Sequence, residues 1–116
     1  MSDLPVIAIT MGDPSGIGPE IILKALSDPA VYELCRPIVL GFPGAFSTKT
    51  TGIGNFLLRE ISTPSEAGGI AGKVDLLPVK GPKKDLIMPG KPTVEGGMMM
   101  VQCIIEAVHL AKLGHI

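Results

Sequence analysis

One stretch constrains the fold of this chain more than any other: the segment Gly-Asp-Pro-Ser-Gly-Ile-Gly-Pro-Glu at residues 12–20. An apolar run precedes it at residues 6–10, and an apolar pattern with helical spacing follows it at residues 21–26. Glycine lets a backbone turn tightly or approach a ligand closely, and proline suits the first position of a helix. The segment therefore predicts a buried strand, a tight turn and the start of a helix.

This turn has a functional and a purely structural interpretation. A helix N-terminus presents free N–H groups and a partial positive charge, and together they favour an anionic ligand. The dinucleotide fingerprint, however, needs glycine where Ile21 stands, and neither Gly-Lys pair of the chain has the upstream glycine of a P-loop. Asp13 either contacts a ligand or holds the turn through a side-chain hydrogen bond, and Glu20 either contacts a ligand or interacts with the helix dipole. Spacing alone leaves these alternatives open.

The rest of the chain predicts an α/β fold, a three-layer sandwich with a mostly parallel sheet. Short apolar runs predict further strands near residues 38–41, 56–61 and 74–79, and Pro78 suggests that the last of them is an edge strand. The stretch 41–55 is rich in Ser, Thr and Gly, so we expect a loop or a frayed helix there. The first helix, near residues 19–27, is expected to bury Ile21, Ile22, Ala25 and Leu26.

A long helix is predicted near residues 94–113, capped by Thr93. Apolar residues recur along it at three- and four-residue spacing, and others widen the apolar surface almost to the full circumference. The first set is Met98, Val101, Ile105 and Val108, and the second is Met99, Ile104 and Leu110. A helix of this kind needs cover on more than one side, so we expect part of it to pack against another partner and the chain alone to self-associate.

Composition excludes several functions. The formal net charge is −1 and aromatic residues make up 3% of the chain, which argues against a nucleic-acid partner. We find no run of 18 apolar residues and no basic, signal-like N-terminus, so we expect no membrane partner. The two cysteines, Cys35 and Cys103, are far apart and are expected to be free thiols in a cytoplasmic protein. His109 and His115 have no second ligand at metal-binding spacing, so no metal site is predicted.

Residues 7–20 closely resemble the opening of the 4-hydroxythreonine-4-phosphate dehydrogenase family. They are also similar to the Gly-Asp-Gly-Ile-Gly-Pro-Glu loop of isocitrate and isopropylmalate dehydrogenases, whose fold that family shares. A second match, Pro-Gly-Lys-Pro-Thr-Val-Glu-Gly-Gly at residues 89–97, resembles the family's Gly-Lys-x-Ser/Thr-x-Glu-x-Gly segment. The family is much longer, so the resemblance implies that residues 1–116 are the N-terminal portion of an incomplete dehydrogenase domain.

The resemblance also implies an activity. Family members oxidise 4-phosphooxy-threonine, or a related threonate or erythronate 4-phosphate, with NAD or NADP and a divalent metal (Zn, Mg or Co). Decarboxylation follows, in pyridoxal phosphate biosynthesis, and the enzymes are homodimers. The family's metal and phosphate ligands lie later in its chain, so no catalytic residue is assigned. The implied cofactor contacts are Asp13, Gly16, Ile17 and Gly18. The alternative is a truncated, inactive remnant that serves at most as a folding or association module.

Overall fold

The structure is a computed structural model, and it describes residues 3–47, 56–81 and 90–116. The strands are β1 (Val6–Thr10), β2 (Arg36–Gly41), β3 (Leu57–Glu60) and β4 (Lys73–Pro78), and the helices are α1 (Gly18–Ala25), α2 (Val31–Leu34), α3 (Pro43–Ser47) and α4 (Val94–Lys112). A short 3₁₀ turn, Pro64–Glu66, joins β3 to β4. The four predicted strands and both predicted helices are confirmed to within about two residues, the usual uncertainty of element ends.

The strands form one four-stranded parallel sheet in the order β1-β2-β4-β3. The steps from β1 to β2 and from β2 to β3 cross the sheet in the same direction. Right-handed crossovers therefore place α1, α2 and α3 on one face, where α1 contacts α3. The long helix α4 packs against β1 and β2, and its Leu110 lines a cavity with Leu77 of β4. The predicted three-layer α/β architecture is confirmed.

The prediction that Pro78 marks an edge strand is wrong, because β4 lies between β2 and β3. Val79 donates its N–H to the carbonyl oxygen of Gly41 at 2.8 Å, so alternation directs the backbone of Pro78 toward the β3 side. β3 ends at Glu60, which is paired with Leu76, so the sheet requires no N–H from Pro78. Proline is tolerated here because it is the last residue of its strand.

The predicted buried face of α1 is wrong in part, and the two apolar sets predicted for α4 divide between the core and the surface. In α1 and at its C-cap residue Leu26, Ile22 and Leu26 are buried as expected, but Ile21 and Ala25 are exposed and Leu23 is buried instead. In α4, the predicted stripe of Met98, Val101, Ile105 and Val108 faces outward, whereas Met99, Cys103 and Leu110 face the core. Both helices have apolar residues on more than one face, so spacing does not determine which face packs against the sheet.

The segment from residue 41 to 55 is helical at its start. Pro43 begins α3, and the side chains of Phe42 and Phe46 are buried in the core, which favours this short helix despite its weak propensity. The expectation of a loop or frayed helix is therefore replaced by a helix over Pro43–Ser47, and the remainder of that prediction, residues 48–55, lies outside the described residues.

An ion pair between the exposed Arg59 and the buried Asp75 ties the two strands at the β3 edge together. Asp75, on β4, is buried and accepts hydrogen bonds from Arg59 Nε at 2.7 Å and from the Gly68 N–H at 2.8 Å. Arg59 also donates to the carbonyl oxygen of Glu66 at 2.7 Å, and its hydrogen bond to Asp75 raises the pKa of the guanidinium. Both carboxylate oxygens of Asp75 therefore have hydrogen-bond partners, and these bonds hold the β3–β4 connection.

By length and composition alone, α4 is apolar enough to cross a membrane, with a mean hydropathy of 1.3 over its most apolar window. Sequence inspection did not identify it because Glu95, Glu106 and His109 interrupt the apolar run. One face of α4 packs against β1 and β2, and 22% of this apolar stretch is buried within the structure.

Candidate functional site

The glycine-rich loop begins where β1 ends, at the carboxyl edge of the parallel sheet. The N–H of Met11 still donates to the Leu40 carbonyl oxygen at 3.0 Å, and the chain then turns at Gly12, whose φ is +76°. Gly18 starts α1 so close to the loop that a Cβ there would lie 2.3 Å from the carbonyl oxygen of Met11. Only glycine fits this turn, and the carboxyl edge of such a sheet is where α/β proteins bind ligands.

Asp13 organises the tip of the loop. Its Oδ1 accepts a hydrogen bond from the Ser15 N–H at 2.8 Å, and its carbonyl oxygen accepts one from the Gly16 N–H at 3.0 Å. The structural interpretation of Asp13 as a turn-holding residue therefore applies to Oδ1. No hydrogen bond or ion pair within the described ranges involves Oδ2, which leaves one carboxylate oxygen for a ligand.

The beginning of α4 forms a second wall of this site. The N–H of Gly90 donates to the Ser15 carbonyl oxygen at 2.7 Å, and Thr93 caps α4 by accepting a hydrogen bond from the Gly96 N–H at 3.0 Å. A Cβ on Gly96 would lie 2.8 Å from Asp13 Oδ1 and 3.3 Å from Ser15 Oγ. The two segments that carry the family resemblance thus meet in space, although they lie far apart in the sequence.

An open cavity of about 150 Å³ lies between the two segments. It is lined by Asp13, Ser15, Gly16, Gly90 and Pro92. Ser15 is 3% exposed, and its hydroxyl has no hydrogen-bond partner in the part of the chain that the structure describes. A buried polar group without a partner costs about 1–3 kcal/mol, so the hydroxyl is the kind of group that a ligand or water satisfies.

Only two of the four predicted cofactor contacts line the cavity. Asp13 and Gly16 line the cavity. Ile17 is the N-cap residue of α1 and its side chain is 66% exposed, while Gly18 packs against the Met11 backbone. Glu20 lies half-buried in the first turn of α1, where the helix dipole favours a carboxylate.

Sequence reasoning missed three site residues: Ser15, Gly90 and Gly96. Ser15 belongs to the first matched segment, and Gly90 and Gly96 belong to the second. The available signal was the pair of matches itself, since two segments of one family motif set often serve one site.

A second, larger cavity of about 430 Å³ lies between the 3₁₀ turn and the last turns of α4. Ser62, Thr63 and Ser65 line one side, and Glu106 and His115 line the other.

Within residues 3–47, 56–81 and 90–116, no three His, Cys, Asp or Glu side chains are placed to hold a metal ion. The described residues therefore do not fit the metal that the family resemblance implies.

Comparison with known proteins agrees with the two motifs. The 4-hydroxythreonine-4-phosphate dehydrogenase of Desulforapulum autotrophicum is 41% identical over 114 residues, which is 97% of this chain and 33% of that protein. The D-threonate 4-phosphate dehydrogenase of Cupriavidus necator is 46% identical over 79 residues, 66% of this chain and 24% of that protein. No protein-family model matches the sequence.

A solved structure agrees as well. The crystal structure of a 4-hydroxythreonine-4-phosphate dehydrogenase from Burkholderia phymatum superposes with a TM-score of 0.88 at 35% identity, covering 99% of this chain and 35% of that one. The chain thus has the fold of the matching third of these dehydrogenases. It belongs to the 4-hydroxythreonine-4-phosphate dehydrogenase family and spans about a third of the length of the relatives that it matches. The predicted resemblance is confirmed.

Proposed function

We propose that this chain provides part of the cofactor site of an NAD(P)-dependent dehydrogenase that oxidises 4-phosphooxy-threonine in pyridoxal phosphate biosynthesis. A related threonate or erythronate 4-phosphate is the other substrate of the same class, as the name of the Cupriavidus necator relative suggests. In this proposal, residues 1–116 are the N-terminal portion of the dehydrogenase domain, and the enzyme works in the cytoplasm. The observation that carries the proposal is the meeting of the glycine-rich loop with the start of α4 around one cavity.

The proposal divides the chemistry between this chain and the rest of the family's length. Asp13, Gly16, Ile17 and Gly18 are proposed as the cofactor side of the site, with Asp13 as the polar contact. In chemistry of this kind a divalent metal (Zn, Mg or Co) would supply Lewis-acid polarisation of the substrate hydroxyl, and the β-keto acid product would lose CO₂. Because the described residues do not fit a metal, we assign this chain no step through it.

A chimera tests this proposal. In it, the matched 114 residues of the Desulforapulum autotrophicum relative are replaced by this chain. We expect the chimera to reduce NAD with 4-phosphooxy-threonine and zinc or magnesium, and the 116-residue chain alone to give no NAD reduction. A chimera that folds and dimerises like its parent but is inactive contradicts the proposal, since the parent enzyme provides the matched positive control.

A second candidate function, association, is favoured by the outward face of α4. Met98, Val101, Ile105 and Val108 form an exposed apolar stripe on this face. Stripes of this kind mark interfaces between protein chains. We propose that the stripe contributes to a homodimer contact, which is also the role that a remnant without enzymatic activity would retain.

A further inference from the structure

The cavity between the glycine-rich loop and the start of α4 combines a carboxylate oxygen and a hydroxyl that both lack partners among the described residues. Asp13 uses Oδ1 for its own turn, and Oδ2 makes no hydrogen bond to any described residue. Ser15 is buried and its hydroxyl is unpaired among the same residues. A carboxylate oxygen only accepts hydrogen bonds, whereas a serine hydroxyl both donates and accepts them. The pair therefore suits a ligand that itself carries hydroxyl groups.

The charge of the site opposes a phosphate in this cavity. Helix N-termini attract anions, but the carboxylate of Asp13 already lies at the first turn of α4, where a Cβ on Gly96 would be 2.8 Å from Oδ1. No lysine, arginine or histidine is among the described residues that line the cavity. A phosphate would thus meet a negative charge with no cation among the described lining residues to offset it, which is an unfavourable pairing.

The cavity is small and open to solvent. Its volume of about 150 Å³ has room for a group of the size of a five-membered sugar ring. Sites for whole drug-sized ligands are larger, at roughly 300–1,000 Å³. The cavity therefore fits one hydroxyl-bearing part of a dinucleotide.

We propose that this cavity is a ribose subsite, in which Asp13 accepts hydrogen bonds from sugar hydroxyls and Ser15 completes the polar surface. Carboxylates take this role toward ribose in other dinucleotide sites. Gly96 is a positioning residue, because any side chain there would displace the Asp13 carboxylate. The proposal rests on the proposed function, since the ribose belongs to the nicotinamide cofactor, and it specifies which part of the cofactor this chain holds.

The test is a titration of the ¹⁵N-labelled 116-residue chain followed by NMR. The probes are methyl β-D-ribofuranoside, its 2,3-dideoxy analogue, inorganic pyrophosphate and NAD. We expect the ribofuranoside to shift the amide signals of Ser15, Gly16 and Gly90, with binding about tenfold weaker for the dideoxy analogue because its hydroxyl hydrogen bonds are lost. Pyrophosphate should leave these signals unchanged.

The probes also separate the two proposals. If pyrophosphate or NAD shifts these amides and the ribofuranoside does not, the ribose assignment is overturned while cofactor binding stands. If none of the four probes shifts them, both the ribose assignment and the proposed cofactor role are overturned.

Three variants sharpen the test. Gly96→Ala should weaken ribofuranoside binding about tenfold because it displaces Asp13, whereas Gly97→Ala is the matched control, since a Cβ there meets nothing within 4 Å. Ser15→Ala should weaken binding without loss of stability, because the hydroxyl that it removes has no partner. A Gly96→Ala chain that keeps a well-dispersed spectrum and wild-type affinity overturns the role of Gly96, and wild-type affinity in Ser15→Ala overturns that of Ser15.

Discussion

Met98 and Met99 are neighbours in α4, yet Met99 is 2% exposed and Met98 is 53% exposed. The side chain of Met99 packs against Gly81, where an added Cβ would lie 2.2 Å from the sulfur. Met98 belongs to the outward stripe with Val101, Ile105 and Val108. The same residue type therefore supports the core on one face of the helix and remains available to a partner on the other. Apolar character alone does not distinguish these two roles.

The largest difference between the two faces should appear on truncation of the neighbouring methionines. Met99→Ala should lower the free energy of unfolding by about 2–5 kcal/mol, because it opens a cavity in the core. Met98→Ala should change it by no more than about 0.5 kcal/mol, since the side chain is exposed. Urea unfolding followed by circular dichroism measures both. Equal losses in the two variants would show that the faces are assigned incorrectly.

Cys103, also on the inward face, should make stability depend on alkaline pH. Burial raises the pKa of its thiol to about 11, although a hydrogen bond to the Met11 backbone acts in the opposite direction. Between the unfolded pKa, near 9, and 11, the folded chain holds the proton more tightly than the unfolded chain. The free energy of unfolding should therefore be unaffected by this group below pH 9 and fall by about 1.4 kcal/mol per pH unit between pH 9 and 11.

Urea unfolding at pH 7 to 10.5 measures this slope, and two cysteine variants isolate its source. Cys103→Ala should remove about 1.4 kcal/mol per pH unit of it, and Cys35→Ala should retain it. An identical slope in the wild-type chain and in Cys103→Ala would count against a buried thiol at this position.

Charges on the outward stripe should abolish self-association with little effect on folding. We expect the 116-residue chain to self-associate at tens of micromolar, and the double variant Ile105→Lys/Val108→Lys to be monomeric by light scattering. Its stability should stay within about 0.5 kcal/mol of wild type, because both side chains are exposed. A wild-type chain that is monomeric at this concentration would contradict the proposal that the stripe forms a contact between two copies.

The smallest expected effect distinguishes the two glycines at the start of α4. Gly97→Ala should raise the free energy of unfolding by about 0.5–1 kcal/mol, because alanine favours a helix and a Cβ there meets nothing within 4 Å. Gly96→Ala has the same helical gain but forces the new methyl group against Asp13, so it should be less stable than Gly97→Ala. Equal stability of the two variants in urea unfolding would contradict the close contact between Gly96 of α4 and Asp13 of the loop.

Much of the fold was accessible from the sequence. The apolar run at residues 6–10 and the glycine turn after it determined β1 and the start of α1, because a short apolar run before a tight turn suits a buried parallel strand. The sequence could not show which faces of α1 and α4 are buried, because Ile21 and Met98 are exposed yet as apolar as the residues that are buried. The position of Pro78 in a central strand depends on where β3 ends, which is a property of the whole sheet.

Only part of the candidate site could be predicted from the sequence. Asp13 and Gly16 could be selected from the loop, but Ser15 is small and polar and becomes notable only when its burial is known. The role of Gly96 depends on a contact with Asp13 across a large sequence separation. No local pattern encodes such a contact, so it becomes visible only when the two matched segments are seen together in the fold.

We propose that the glycine-rich loop and the start of α4 together form a cofactor site. A titration of the ¹⁵N-labelled chain with NAD, with every assigned amide followed by NMR, tests this claim most directly. We predict saturable shifts at Ser15, Gly16 and Gly90, around the 150 Å³ cavity. Shifts confined to the larger cavity, at Ser62, Thr63 and His115, would contradict it.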